Sequence, residues 1–332
     1  MLKNNFDSSI TSLKTINLHH TIKLDTEIYN LIQIENGDIL LSLGNGSINF
    51  FKKDNFLKPY YILKVDNYPL TNIIQLKNES IVCTSNHPTI FIINKNPQEI
   101  NEYEISKKIN TRSLGSQINK IIQLPNEKLI SIDNSYISLW SNDLELIKEK
   151  KINSPMIDII LINKKQCACA LPVKKSIIYF EQEKLNQESE IKNLKFINSL
   201  DYNNILCILN DELLFVGGCL GCIYLINIKY KEFVANVPLS NPKDIITSVY
   251  NLSNGDLLCG RSLTIDDDNK VVQVISDLVQ FQYKQYQNSF REIANKKGIH
   301  TNIIRNIKEI INHKNMKEVA TVSLDCSFLI WN

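Results

Sequence analysis

Short runs of alternating apolar and polar residues, separated by polar turns, recur along the 332-residue chain. The runs group into repeats. In the clearest repeats, a first strand with alternation of period two is followed by a polar turn, a second strand, a short turn and a third strand. Asn36-Gly37 and Asn254-Gly255 predict tight hairpin turns with positive φ. The three copies that align best are LIQIENGDILLSLGNGSINFF (31–51), IIQLKNESIVCTSNHPTIFII (73–93) and IIQLPNEKLISIDNSYISLW (121–140).

The copies are evenly spaced. Isoleucines at one position of the third strand follow one another at intervals of 42, 47, 40 and 46 residues; they are Ile48, Ile90, Ile137, Ile177 and Ile223. Four strands in about 40–45 residues is the period of a propeller blade. Seven copies account for nearly the whole chain. The sequence therefore predicts an all-β, seven-bladed β-propeller of four-stranded antiparallel blades, with residues 1–332 as a single domain.

The two ends of the chain raise the question of closure. The last stretch, VSLDCSFLIWN (322–332), ends on a strand that no further strand follows, and ITSLKTINLHHTIKL (10–24) alternates without a blade of its own. We expect 10–24 to be a closing strand, with Thr11–Leu18 paired outside Phe328–Trp331, because this removes a free sheet edge. The alternative, an open array with a disordered N-terminal segment, exposes two apolar blade faces at a cost of ~25 cal/mol per Å².

The final repeat resembles a blade of the WD-repeat family. GIHTNIIRNI resembles the family's Gly-His opening with one residue inserted between Gly298 and His300, and SLDCSFLIWN matches its closing strand pair. The resemblance covers nearly the whole chain, but the motif is complete only at the end. Trp140 keeps part of it in the third repeat.

The resemblance implies a structural tetrad of His300, Ser323, Asp325 and Trp331. Asp325 would accept a hydrogen bond from the His300 ring, His300 would bond the Ser323 hydroxyl, and Ser323 would bond the indole N–H of Trp331. Such a network satisfies buried polar groups that would each cost about 1–3 kcal/mol if left unpaired. In the other blades, apolar packing must replace it.

The sixth repeat is the least regular. Residues 277–297 form a predicted protrusion that holds an extra strand or, alternatively, a short helix, since Tyr286, Phe290, Ile293 and Ala294 share one helical face. We favour the extra strand, because the family expects an outer strand just before the Gly-His position. Protrusions on repeat proteins often carry partner contacts.

Composition narrows the class of protein. Lys+Arg 37 against Asp+Glu 35 gives a net charge of +2, which provides no long-range field for DNA. No apolar run approaches the roughly 18–20 residues that span a bilayer, and the N-terminus lacks the apolar region of a secretory signal. The eight cysteines show no dense spacing pattern. They predict reduced thiols and a cytoplasmic, or alternatively nuclear, location.

No motif predicts catalysis, a cofactor or a metal. There is no G-x-S-x-G, Walker loop or HExxH. Cys219 and Cys222 form one C-x-x-C pair, which zinc would need Cys167 and Cys169 to complete, and we expect buried apolar thiols instead. We interpret 266–269 (DDDN) as a solvated loop rather than a calcium site, and His19-His20 as a structural or exposed pair.

The predicted function is a non-catalytic scaffold for protein–protein interaction within a multi-subunit complex. Candidate contacts are Tyr68, Arg112, Lys243 and Arg261, because aromatic and arginine side chains most often anchor interfaces and these lie near predicted connections between blades. One alternative is an enzyme or small-ligand binder that uses the central channel. Another is phosphoinositide or nucleic-acid binding through a basic face.

Overall fold

The computed structural model describes residue 13 and residues 17–99, 101–111, 117–196, 205–252, 254–267 and 270–332, with the backbone alone for 263–267 and 270–273. These residues form seven four-stranded antiparallel sheets. The innermost strands of successive sheets contact one another around a closed ring. The prediction of a seven-bladed β-propeller is confirmed.

The strands of the first six blades follow the chain from the inside of each blade to its outside. Blade 1 is β2 (Ile28–Gln33), β3 (Ile39–Leu43), β4 (Ser47–Phe51) and β5 (Tyr61–Lys64); blade 2 is β6 (Leu70–Gln75), β7 (Ile81–Ser85), β8 (Thr89–Lys95) and β9 (Tyr103–Asn110); blade 3 is β10 (Ile118–Gln123), β11 (Leu129–Asp133), β12 (Tyr136–Trp140) and β13 (Leu146–Lys151).

The second half of the ring repeats this order. Blade 4 is β14 (Asp158–Leu161), β15 (Gln166–Leu171), β16 (Ser176–Glu181) and β17 (Gln187–Ile191); blade 5 is β18 (Leu206–Asn210), β19 (Leu213–Cys219), β20 (Cys222–Asn227) and β21 (Glu232–Pro238); blade 6 is β22 (Ile245–Asn251), β23 (Leu257–Asp267), β24 (Lys270–Lys284) and β25 (Ser289–His300); blade 7 is β26 (Ile304–Ile311), β27 (Lys317–Ser323), β28 (Ser327–Trp331) and β1 (Leu18–Lys23).

The apolar core is divided among the gaps between blades. Within the described residues, each gap between neighbouring blades holds one cluster of buried apolar side chains. Alternation along each strand sends successive side chains to opposite faces of the sheet, so every blade supplies two neighbouring gaps. The ring is therefore stabilised by each blade packing on both of its neighbours.

Hairpin turns follow the sequence prediction at two positions. Gly37 and Gly255 have φ of 87° and 83°, and the side chain of Asn36 accepts the Asp38 N–H at 2.9 Å. In blade 3 the corresponding left-handed residue is Glu127, at φ 70°, which follows Asn126. A non-glycine residue in this conformation is strained.

Blade 7 closes with β1, which pairs antiparallel outside β28 with Ile22 opposite Phe328. Asn17 and Asn332 extend the ladder through two backbone hydrogen bonds of 2.7 and 3.0 Å. The predicted register is wrong, because Leu18–Lys23 occupies the position we assigned to Thr11–Leu18; Thr11 and Ser12 lie outside the described residues. The observed register places Ile22 in the core between blades 7 and 1.

Blade 6 contains no extra strand among the described residues. The segment 277–297 instead forms long parts of β24 and β25, joined by a 3-10 turn at Gln285–Gln287. The hairpin of β23 and β24 also extends further than those of other blades, to a pairing of Asp267 with Lys270. Where we expected a third strand followed by an extra strand, the chain forms one continuous 15-residue strand, β24.

Candidate interaction surface

One face of the ring carries the connections between blades and the turns between second and third strands, and we call it the connection face. Because strands alternate in direction, both kinds of loop emerge on the same side. The opposite face carries the remaining hairpin turns, such as 228–231 and 285–288. The predicted contact residues Tyr68 and Lys243 belong to connections between blades, and Arg112 lies outside the described residues.

Tyr68 and Lys243 are both exposed on the connection face, in different sectors. Tyr68 is 50% exposed, and its ring stacks on His87 at 5.1 Å with an interplanar angle of 20°. Lys243 lies between blades 5 and 6, where its N–H donates to the Asn241 side chain at 3.0 Å. The structure places these two residues beside blades 2 and 6, so they do not form one contact patch.

Arg261 is not an exposed contact residue. It is 6% exposed, and its guanidinium pairs with Asp277 at 3.0 Å, Glu292 at 2.8 Å and Asp244 at 3.6 Å. The expectation that Arg261 faces solvent is therefore wrong. It lies in the long strand β23, where acids from the other strands of blade 6 and from the preceding connection surround it.

The acids around Arg261 carry more negative charge than the arginine neutralises. Burial raises the pKa of Asp244 to about 6; Arg261 opposes this rise, and Asp277 and Glu292 add to it. Asp277 also accepts the Gly298 N–H at 2.8 Å. The network ties β23, β24 and β25 together under the connection face.

A cleft of about 670 Å³ opens on the connection face between blades 4 and 5. Its walls are fixed by backbone hydrogen bonds, from Leu220 N to Lys195 O at 3.0 Å and from Gly221 N to Asp244 O at 2.8 Å. Gly221 has φ 66°, and a Cβ there would lie 2.6 Å from the Pro242 oxygen. A side chain at this position would therefore force the cleft apart.

The cleft combines an apolar floor with basic edges. Phe196 and Pro242 line it, Leu220 is 47% exposed beside them, and Lys175 and Lys195 are exposed at its margin. Sequence reasoning missed this site. The available signal in the sequence was Leu220, an apolar residue beside Gly221 in CLGC.

The cysteine pair lies at this cleft. Cys219 and Cys222 face each other across the hairpin of β19 and β20, and burial raises the pKa of both thiols. Cys167 and Cys169 lie on β15 in the gap toward blade 3. Within the described ranges, no three His, Cys, Asp or Glu side chains gather as potential metal ligands.

The tetrad of blade 7 is built around His300. Its Nδ1 lies 3.1 Å from Asp325 Oδ2, and its Nε2 lies 2.9 Å from the Thr321 hydroxyl. Trp331 Nε1 donates to the same hydroxyl at 3.4 Å. The assignment of Ser323 to the tetrad is wrong: Ser323 Oγ instead accepts the Asp325 N–H at 3.2 Å. Ser323 ends β27, whereas Thr321 lies two residues deeper, at the level of the indole.

Asp325 holds the turn before β28. Burial alone would raise its pKa, but the hydrogen bond and charge of His300, with bonds from Ser327 and Thr301, outweigh burial and bring the pKa below its usual range. The Thr301 N–H donates at 2.8 Å and the Ser327 N–H at 3.0 Å. The carboxylate therefore links the connection from blade 6 to the last hairpin.

Comparison with solved structures identifies the architecture. The crystal structure of the WD40 β-propeller domain of Doa1 superposes with a TM-score of 0.68 over 96% of this chain and 97% of that chain, at 12% sequence identity. No protein-family model matches the chain, and no curated protein matches it. The fold is that of a WD40 β-propeller.

This propeller lacks the tetrad hydroxyl in most of its blades. Pairing registers place one residue per second strand at the position of Thr321; these are Leu41, Cys83, Ser131, Cys169, Phe215 and Cys259. Ser131 still accepts the Trp140 indole N–H at 2.9 Å. A hydroxyl without such partners would be a buried unsatisfied group, and a thiol or apolar side chain avoids that cost.

No helix among the described residues is long and apolar enough to cross a membrane.

Proposed function

We propose that this WD40 propeller is a non-catalytic scaffold that binds other proteins within a multi-subunit complex. The observation that carries the proposal is the cleft between blades 4 and 5, where Leu220 is exposed on a backbone fixed by hydrogen bonds to two neighbouring connections. Exposed apolar side chains beside a preformed concave surface are typical of interaction sites. Rigid blades with variable loops suit a docking platform.

The chemistry of the cleft favours an acidic partner segment that carries an apolar residue. Lys175 and Lys195 are exposed at the margin, and no ion pair joins either of them to another described residue. An apolar side chain of the partner would pack on Phe196, Leu220 and Pro242, while carboxylates face the lysines. Rim charges of this kind increase the association rate and make it sensitive to salt.

The state of the cysteines favours a reducing compartment. The eight cysteines are free thiols, and six of them are buried. Secreted proteins of similar cysteine content usually form disulfides. We therefore propose a cytoplasmic or nuclear location.

Affinity purification from the native source tests the role of the cleft. The wild-type chain is compared with Leu220→Asp, which places a charge at the floor, and with Tyr230→Asp as the matched control. Tyr230 is 64% exposed on the opposite face of the same blade. The proposal expects partners to be lost with Leu220→Asp and kept with Tyr230→Asp. Loss with Tyr230→Asp alone, or partner sets unchanged by either substitution, contradicts it.

A further inference from the structure

The central channel carries a polar layer that the scaffold role does not use. The innermost strands place one residue each at the same level of the channel; in five blades these are Asn30, Asn72, Lys120, Asp158 and Asn306. A cavity of about 220 Å³ lies beside this level, lined by residues of β2, β6, β10, β18, β22 and β26. It has room for several water molecules.

Part of this layer is satisfied internally. Lys120 forms an ion pair with Asp158 of the next blade, and Asp158 also accepts the N–H groups of Ile159 at 2.9 Å and Leu206 at 2.8 Å. Asn306 donates to the side chain of Asn30 and to the Leu31 carbonyl at 3.2 Å. These groups form a fixed polar wall on two sides of the channel.

Lys308 adds a charge that the wall does not neutralise. It lines the cavity from β26, and within the described residues no carboxylate forms an ion pair with it. Burial lowers the pKa of Lys308, and repulsion from Lys120 lowers it further. Lys120 belongs to blade 3 and Lys308 to blade 7, so this repulsion acts across the channel.

Asn72 supplies an unsatisfied acceptor in the same cavity. It is 2% exposed, and its side-chain oxygen has no hydrogen-bond partner among the described residues. A buried amide oxygen without a donor is costly, and such groups in native proteins are usually completed by water, an ion or a ligand. The cavity thus presents a cation and an acceptor together.

We propose that the channel binds a small oxyanion that also carries a hydroxyl group, of which hydrogen phosphate is the simplest. The anionic oxygens accept hydrogen bonds from the Lys308 ammonium, and the hydroxyl donates to Asn72. Lys120, held by Asp158, adds a positive charge at the edge of the cavity. A volume of about 220 Å³ suits a small free ion of this kind. Sulfate, which has no hydroxyl at neutral pH, leaves Asn72 unpaired and binds less well.

Isothermal titration calorimetry with inorganic phosphate at pH 7 and constant ionic strength tests the site. We expect the wild type to bind phosphate, and to bind sulfate at least tenfold more weakly. Lys308→Met should weaken phosphate binding at least tenfold, and Lys308→Arg should retain binding. Lys314→Met, which removes an exposed lysine from the same blade, is the matched control and should bind as the wild type does.

Asn72→Ala separates the two parts of the proposal. It should bring the affinities for phosphate and sulfate to within about twofold of each other while leaving the Lys308 contact. A wild type that binds neither ion, or a Lys308→Met variant that binds phosphate unchanged, overturns the anion site. Equal affinities of the wild type for phosphate and sulfate overturn the role of the hydroxyl. Lys308→Arg keeps the charge, so loss of binding there with an unchanged thermal melt also counts against the site.

Discussion

Nε2 of His300 lies 2.9 Å from the hydroxyl oxygen of Thr321, and this contact joins the end of β25 in blade 6 to β27 in the final sheet. The hydroxyl serves two partners, because Trp331 Nε1 donates to it at 3.4 Å. Removing the hydroxyl therefore leaves two buried polar groups unpaired.

Thr321→Val should lower the free energy of unfolding by about 1–3 kcal/mol, because valine keeps the shape of threonine but leaves His300 and Trp331 without their partner. Ser323→Ala should cost less than about 1 kcal/mol, since among the described residues the Ser323 hydroxyl bonds only the N–H of the turn residue Asp325. Urea unfolding at pH 7 measures both. Losses of equal size would argue against Thr321 as the tetrad hydroxyl.

Asp325 should make the protein sensitive to acid. Its pKa in the folded protein is below the usual value of 3.8, so the folded state binds this proton more weakly than the unfolded chain does. The stability it contributes is complete above about pH 4 and is lost as the pH falls further. Urea midpoints at pH 5, 4 and 3 should fall more steeply for the wild type than for Asp325→Asn. The same pH dependence of the urea midpoint in the wild type and in Asp325→Asn would contradict the lowered pKa of Asp325.

Asp244 should change the stability with pH in the opposite direction to Asp325. Its pKa of about 6 exceeds the usual 3.8, so the folded protein binds this proton more tightly than the unfolded chain does; stability therefore falls as the pH rises from about 4 to about 6 and stays at the lower level above that. Asp244→Asn should raise the melting temperature relative to the wild type at pH 7.5, with a smaller difference at pH 4.5. A difference that does not change with pH contradicts the shift.

Asp277→Asn is the matched comparison for Asp244→Asn. Asp277 accepts hydrogen bonds from Arg261 at 3.0 Å and from the Gly298 N–H at 2.8 Å. Its substitution should destabilise the protein at pH 7.5, since it weakens both bonds. The two aspartates therefore have opposite predicted effects at the same pH, and thermal melts of both variants distinguish them.

The closing strand should depend on Ile22. This side chain is buried between blades 7 and 1, whereas Thr21 beside it is exposed. Ile22→Asp should lower the free energy of unfolding by at least about 3 kcal/mol, through lost apolar burial and an unpaired buried charge. Thr21→Asp should change it by less than about 0.5 kcal/mol. Similar effects from both substitutions would contradict the register of β1.

The repeat pattern predicted the ring because blade geometry imposes a strong period. Isoleucines recur at one position of the third strand in the first four blades, and two of them, Ile48 and Ile90, each face the gap to a neighbouring blade. The repeat pattern did not determine the register in which the N-terminal strand pairs with β28. Residues 10–24 alternate throughout, so the pattern alone could not choose between Thr11–Leu18 and Leu18–Lys23; packing of Ile22 against the last blade decides it.

The candidate sites were less accessible to sequence reasoning. Thr321 and Ser323 are hydroxyl residues two positions apart on one strand, so both face the same side, and only the depth of the Trp331 indole separates them. The sequence did not indicate that Arg261 is buried, because its three acidic partners lie 16 to 31 residues away along the chain. The polar layer of the channel had a signal, since Asn30, Asn72 and Asn306 occupy one repeat position, but its meaning requires the ring.

Hydrogen exchange of the β1 amides tests the central claim, closure of the ring by its N-terminal strand, most directly. Amides of Leu18–Lys23 that bond β28 should exchange as slowly as those of Ser327–Trp331, because both belong to one sheet and open together. Exchange of 18–23 at the rate of an unstructured peptide, with 327–331 still protected, would show that β1 does not close the propeller.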